Sequence, residues 1–199
     1  MKFSIMTIRS RGERKSSPID IGFIEYNRVI FYALRKKNKG DYDVKNYAFI
    51  DGNNLHLGAK DSGWKVDYKR FRVFLKDKYR VAKAYYFIGY MQEHEGLYEY
   101  LSNSGYDLVF KPTIPDYDGN TKGNCDAELV LQAMIDLKNY DKAVIVTSDG
   151  DFACLVKYLQ GIDKLEMIIS PHKKCSSLLT GLTKVAFLDD MRGKIEYRK

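Results

Sequence analysis

From Tyr47 onward, short apolar runs alternate with segments of helical period, and that alternation restricts the fold more than any other feature. The strand candidates are YAFID, AKAYYFIGY, DLVFKPT, KAVIVTSD, LEMIIS and VAFLDD. Several are almost continuously apolar, as a parallel strand covered on both faces requires. Helix candidates lie between them, at about 67–80, 93–104, 124–140, 151–161 and 176–183. Repeated β-α units predict an α/β domain whose parallel sheet is sandwiched by helices. Such sheets hold their ligands beyond the carboxyl ends of the strands. Two runs, YAFIDGNN and VIVTSDGDF, end there in aspartate and glycine.

The chain of 199 residues divides on composition into a basic N-terminal extension (1–45), one domain (46–190) and a C-terminal tail (191–199). Residues 1–45 hold 11 Lys/Arg against 5 Asp/Glu, whereas residues 46–199 hold 22 against 21. A basic arm suits a polyanion such as nucleic acid, and a solvated tail with no partner explains it equally. Within the arm, NRVIFYALRKKNKGDYD reads either as a short helix ended by Gly40 or as a strand pair. With 45% hydrophobic and 14% aromatic residues the chain is not broadly disordered. No run approaches the roughly 18 apolar residues of a membrane span, and the first residues lack a secretory core. Cys125, Cys154 and Cys175 show no C-x-x-C spacing, so they read as reduced thiols of a cytoplasmic protein. The loop at 111–124, rich in Pro, Gly, Asp and Asn, is expected to be exposed, mobile and close to the site. An exposed strand edge would suit a homodimer, though nothing in the sequence demands one.

Four acids carry the chemistry. Asp51 ends the first strand and is either a carboxylate facing the crevice or part of a DGNN turn. Asp126 shares a helical face with Val130, Ala133, Leu137 and Tyr140 and points toward the sheet, while Glu128 points away to solvent. A first-turn acid with Asn124 as helix cap is the ordinary alternative, but it does not require the inward face. Asp149 or Ser148 could simply cap the following helix. Asp149 and Asp151 together are better explained as a cation site, or as a base and its orienting group. Four converging carboxylates raise one another's pKa, and a divalent cation resolves the repulsion. His56, His94 and His172 are scattered, and oxygen donors favour Mg²⁺ or Mn²⁺ over zinc. Such an ion activates water and offsets phosphoryl charge, which implies phosphodiester hydrolysis.

FIDGNNLH, KGNCDAELVLQAM and AVIVTSDGDF resemble the three acidic motifs of the NYN domain, a branch of the PIN-like nucleases. The likeness covers about residues 45–190 in order and spacing. It implies a Rossmann-like three-layer α/β/α sandwich with a mostly parallel sheet, and metal-dependent cleavage of RNA. Carried over residue by residue, the family's acids fall on Asp51, Asp126, Asp149 and Asp151, and its first-motif asparagine on Asn54. Asn53 is an additional candidate helper.

For RNA binding, the basic and aromatic segment WKVDYKRFRVFLKDKYRVAK offers Lys69, Arg70 and Arg72. SPHKKCSSLL offers Lys173, Lys174 and Ser176 near a helix N-terminus. Solvated charges and ordinary capping by Ser176 explain the same residues. The leading expectation is a metal-dependent ribonuclease acting on single-stranded RNA. An RNA-binding regulatory module with little turnover is the alternative. A phosphatase of the haloacid dehalogenase type ranks last, because the second acid it needs two residues after the nucleophile is Asn53 here.

Overall fold

The computed structural model describes residues 44–111, 114–115, 121–122 and 125–198. The expectations for residues 1–43, and most of those for the loop at 111–124, lie outside the described residues. In chain order the strands are β1 (Asn46–Asp51), β2 (Val81–Gly89), β3 (Asp107–Lys111), β4 (Ile114–Pro115), β5 (Thr121–Lys122), β6 (Ala143–Val146), β7 (Leu165–Ser170) and β8 (Val185–Phe187). The helices are α1 (Gly52–Asp61), α2 (Tyr68–Tyr79), α3 (Glu95–Asn103), α4 (Asp126–Ile135), α5 (Ala153–Gly161), α6 (Ser177–Thr180) and α7 (Arg192–Ile195).

Six strands form one wholly parallel sheet in the order β3-β2-β1-β6-β7-β8. The short β4 and β5 pair separately and antiparallel. The first three strands build outward from β1 in one direction, and β6 to β8 build outward in the other. The order therefore reverses between β1 and β6, which makes their carboxyl ends the topological switch point where such sheets bind ligands. Among the described residues, no helix is long and apolar enough to cross a membrane.

Strand alternation assigns the two layers. Ala48 and Ile50 face a core that includes Leu55 of α1, Phe71 and Leu75 of α2, Leu101 of α3 and Ile195 of α7. Phe49 faces the opposite core, built on Leu129 and Ala133 of α4 and Leu155 and Leu159 of α5. Asp51 has the parity of Phe49, so its side chain leaves β1 on the side of α4. The result is the α/β/α sandwich expected from the β-α alternation.

Three local differences have physical causes. The helix expected over 124–140 stops at Ile135. Asp136 turns into the sheet instead, accepting hydrogen bonds from Tyr85 Oη (2.6 Å), Gln132 Nε2 (2.8 Å) and Asn139 Nδ2 (2.9 Å). Burial alone would raise the Asp136 carboxyl, but these donors outweigh it and hold its pKa below the ordinary value. The strand expected at VAFLDD ends at Phe187 and continues as a 3-10 turn, Leu188–Met191. Beyond residue 190, Met191 and Ile195 are buried, and the backbone of Glu196 pairs with Val66.

DGNN is a helix start rather than a turn, since α1 begins directly after β1. Gly52 makes that entry feasible. A Cβ there would run into the Tyr86 ring and would lie 2.6 Å from Phe87 O, a backbone atom that cannot yield. Gly52→Ala is expected to cost about 1–3 kcal/mol of stability, the usual scale of overpacking. Denaturant unfolding followed by circular dichroism measures it, with Gly96→Ala, which meets open space, as the control.

Candidate active site

Each acid is delivered by the end of a regular element. Asp51 closes β1 and caps α1, its Oδ1 accepting from Asn54 N at 3.0 Å. Asp149 follows β6 and caps the 3-10 turn Gly150–Phe152, accepting from Asp151 N at 2.9 Å. Asp126 opens α4 on the inward face it shares with Leu129 and Ala133, three and seven residues on. The cap position is Cys125, whose side chain makes no capping bond; Asn124 lies outside the described residues.

Asp126, Asp149 and Asp151 converge. One carboxylate oxygen from each lies within 4.8 Å of the others. Asp51 stands beside this triple rather than in it, half-buried between α1 and β6. Burial pushes the Asp51 carboxyl up to about 6; the Asn54 N–H pulls it back, and the Asp126 and Asp149 charges push it up again. Among the described residues, no lysine or arginine pairs with Asp51, Asp149 or Asp151.

Polar groups at the strand ends hold the acids in register. Asn54 Oδ1 accepts from both Ser148 N (3.0 Å) and Ser148 Oγ (2.8 Å), tying α1 to the residue before Asp149. Thr147 Oγ1 donates toward Asp51 Oδ2 at 3.5 Å and accepts from Asp149 N at 3.1 Å. Asn54 thus touches two of the acidic segments at once. Sequence reasoning missed the parts played by Thr147 and Ser148, which are buried although polar. Two hydroxyl residues ending the apolar run AVIV were the available signal. Gly150 lies close against the Ser176 side chain, where a Cβ would displace the Ser176 hydroxyl, and Ser176 N donates to Ser148 O at 3.1 Å.

The neighbouring groups narrow the chemistry. Burial pushes the Cys125 thiol up to about 11, with Glu128 and Asp51 adding to the effect, so it stays neutral and offers no thiolate. Glu128 is not solvated as expected. It is half-buried and paired with Lys111 at 3.4 Å, and its Oε2 is buried with no hydrogen-bond partner among the described residues. Among the described residues, His172 alone of the three histidines has a ring nitrogen near a carboxylate, its Nε2 lying 3.8 Å from Asp61 Oδ2.

The residues expected to bind RNA are dispersed. Asn53 is exposed beside Asp51. Lys69 and Arg70 line a groove of about 630 Å³ between α2 and α7, together with Phe74, Lys78 and Lys194. Arg72 is committed to structure: its guanidinium donates to the carbonyls of Val81 (3.1 Å), Ala82 (2.9 Å) and Gly105 (2.9 Å). Lys173 reaches Asp189 at 3.3 Å and Lys174 is exposed. Ser176 caps α6, accepting from Leu178 N.

In metal-free protein, the raised Asp51 carboxyl has a sign that can be tested. Its folded pKa, about 6, exceeds the ordinary 3.8, so the folded state binds the proton more tightly. The stability it contributes is complete below about 3.8 and is lost as pH rises through about 6. Thermal unfolding in EDTA across that window is expected to show a loss of stability in wild type that is reduced in Asp51→Asn. Parallel profiles for the two proteins would contradict the assignment.

Comparison with known proteins identifies a family and relatives. The NYN domain matches residues 46–186. The low amplitude and bright protein LabA of Synechococcus elongatus is 26% identical over 159 residues, covering 74% of this chain and 86% of that protein. A crystal structure of VPA0982, a Vibrio parahaemolyticus protein of unknown function, superposes with a TM-score of 0.67 at 22% identity. That likeness covers 80% of this chain and 99% of the other. With the family match spanning all four aspartates, this chain belongs to the NYN domain family.

Proposed function

We propose that this chain is a divalent-cation-dependent ribonuclease that hydrolyses phosphodiester bonds in single-stranded RNA in the cytoplasm. The observation that carries the reading is the convergence of the Asp126, Asp149 and Asp151 carboxylates within 4.8 Å at the switch point of a parallel sheet. The donor set fits a hard cation, because it is all oxygen and the adjacent thiol is neutral. Asp126, Asp149 and Asp151 would hold Mg²⁺ or Mn²⁺, with Asp51 assisting from its more buried position. Bound there, the ion supplies activation of water and relief of charge on a phosphoryl oxygen.

The chain's own residues provide the rest. Asn54 acts as a positioning residue through Ser148, and its backbone N–H holds Asp51. Thr147 couples Asp51 to Asp149. Asn53, Lys174 and Lys173 are proposed to meet the flanking RNA, while Lys69 and Arg70 act farther off on α2. Arg72 is not included, because its guanidinium already serves three carbonyls.

A fluorescent single-stranded RNA incubated with the full chain is expected to be cleaved with Mn²⁺ or Mg²⁺ and left intact in EDTA. Asp149→Asn is expected to slow cleavage by roughly 100-fold or more, the scale of several kcal/mol of transition-state stabilisation. Full activity of Asp149→Asn would end the nuclease reading. RNA binding that ignores EDTA, with no cleavage of varied RNAs, would instead identify a binding module.

A further inference from the structure

We propose that the groove between α2 and α7 docks an acidic peptide segment of a partner protein, with an aliphatic anchor on its floor and carboxylates along its rim. The groove holds about 630 Å³. Its floor is apolar, formed by Val73, which is 51% exposed, and the half-buried Phe74. Four cations, Lys69, Arg70, Lys78 and Lys194, line it against one acid, Asp77. Arg70 is matched by Asp67 at 3.4 Å. Among the described residues, Lys69, Lys78 and Lys194 form no ion pair, so the rim carries unmatched positive charge.

The groove is preformed. α2 packs inward through Phe71 and Leu75, and α7 through Ile195. Two backbone bonds fasten the walls together, Asp67 N to Ile195 O at 2.8 Å and Tyr197 N to Lys65 O at 2.9 Å. Aromatic rings hold two of the cations in place. Lys78 Nζ stands 5.4 Å from the Phe74 ring centre and 5.3 Å from that of Tyr79, and Lys194 Nζ stands 5.9 Å from Phe74. Cations already held in place lose less freedom when a partner's carboxylates arrive.

Position and chemistry select a peptide over RNA. Phe71, Leu75 and Ile195 belong to the core on the Ala48 side of the sheet, whereas the acids gather on the α4 side. α2 starts level with the carboxyl end of β1, where Tyr68 meets the ring of Tyr86, the partner of Ile50. It ends at the opposite edge, where Asn46 N donates to Arg80 O at 3.2 Å. Lys69 and Arg70 therefore stand at the end nearer the acids, and Val73, Phe74 and Lys78 lead away from them. RNA offers no aliphatic group for Val73, and lysines already stand over the Phe74 ring where a base would stack. A peptide supplies both parts: an apolar side chain to bury and carboxylates complementary to the basic rim.

The test screens the immobilised full chain against a random peptide library displayed on phage. Selected peptides are resynthesised with a fluorescent label, and their binding is read by anisotropy. The selected sequences are expected to carry an aliphatic residue flanked by Asp or Glu, and glutamine in place of those acids is expected to weaken binding. Val73→Asp, Lys78→Glu and Lys194→Glu are each expected to weaken it about tenfold or more, with circular dichroism confirming the fold. Lys157→Glu, a charge reversal at an exposed position of α5, is expected to leave it unchanged. A selection that yields no acidic family would overturn the proposal, as would peptides that bind the groove variants as tightly as wild type. Self-association abolished by Val73→Asp, with no peptide selected, would assign the groove to a second copy instead. Single-stranded RNA binding lost in Val73→Asp and Lys78→Glu, with peptide binding unchanged, would assign it to RNA. Peptide binding is read without cleavage, so its outcome is separate from that of the nuclease reading.

Discussion

The site depends on one tether between two strand ends. Asn54 enters from the first turn of α1, and its amide oxygen accepts both the N–H and the hydroxyl of Ser148. Parallel neighbours share no hairpin, so nothing local sets the relative positions of residues beyond the carboxyl ends of β1 and β6. The tether supplies that register, and Thr147 reinforces it by touching both Asp51 and Asp149. Leaving the Ser148 N–H without an acceptor at a buried strand end would be costly, so structure and site share the same bonds.

With the ends held, electrostatics becomes the dominant feature. Three carboxylates crowd one edge and a fourth is half-buried beside them. The upward shifts of Asp51 and of the Cys125 thiol report the same circumstance, which is negative charge gathered in a poorly solvated place. A site of this kind favours a cation and disfavours an anionic nucleophile. The thiol is accordingly a passive neighbour.

The rest of the fold keeps other polar groups out of that edge. Asp136, just after α4, is held by hydrogen bonds within its own cluster of Tyr85, Gln132 and Asn139. Asp189 gathers Ser62, Trp64 and Lys173, fastening the segment after α1 to the end of β8. Arg72 closes the junction between α2 and β2 through three carbonyls. These are charged or polar residues whose work is structural, and their partners are distant in sequence.

Local pattern was enough for much of this protein. Apolar runs located the six sheet strands, and helical spacing turned Asp126 inward with Leu129 and Ala133, because both periodicities depend only on backbone geometry over a few residues. Strand-end acids beside glycine likewise marked the crevice. Tertiary structure alone decided that Asp51 stands beside the triple, that Arg72 is occupied while Lys69 and Arg70 line a separate groove, and that Tyr90 and Phe110 stay exposed. It also decided that α1 starts directly at Gly52 and that Ile195 joins the core. The physical reason is separation along the chain. Asn54 and Ser148 are 94 residues apart, and Trp64 and Asp189 are 125 apart. Which distant groups meet depends on how the crossovers stack the layers, and no periodicity within a segment encodes that.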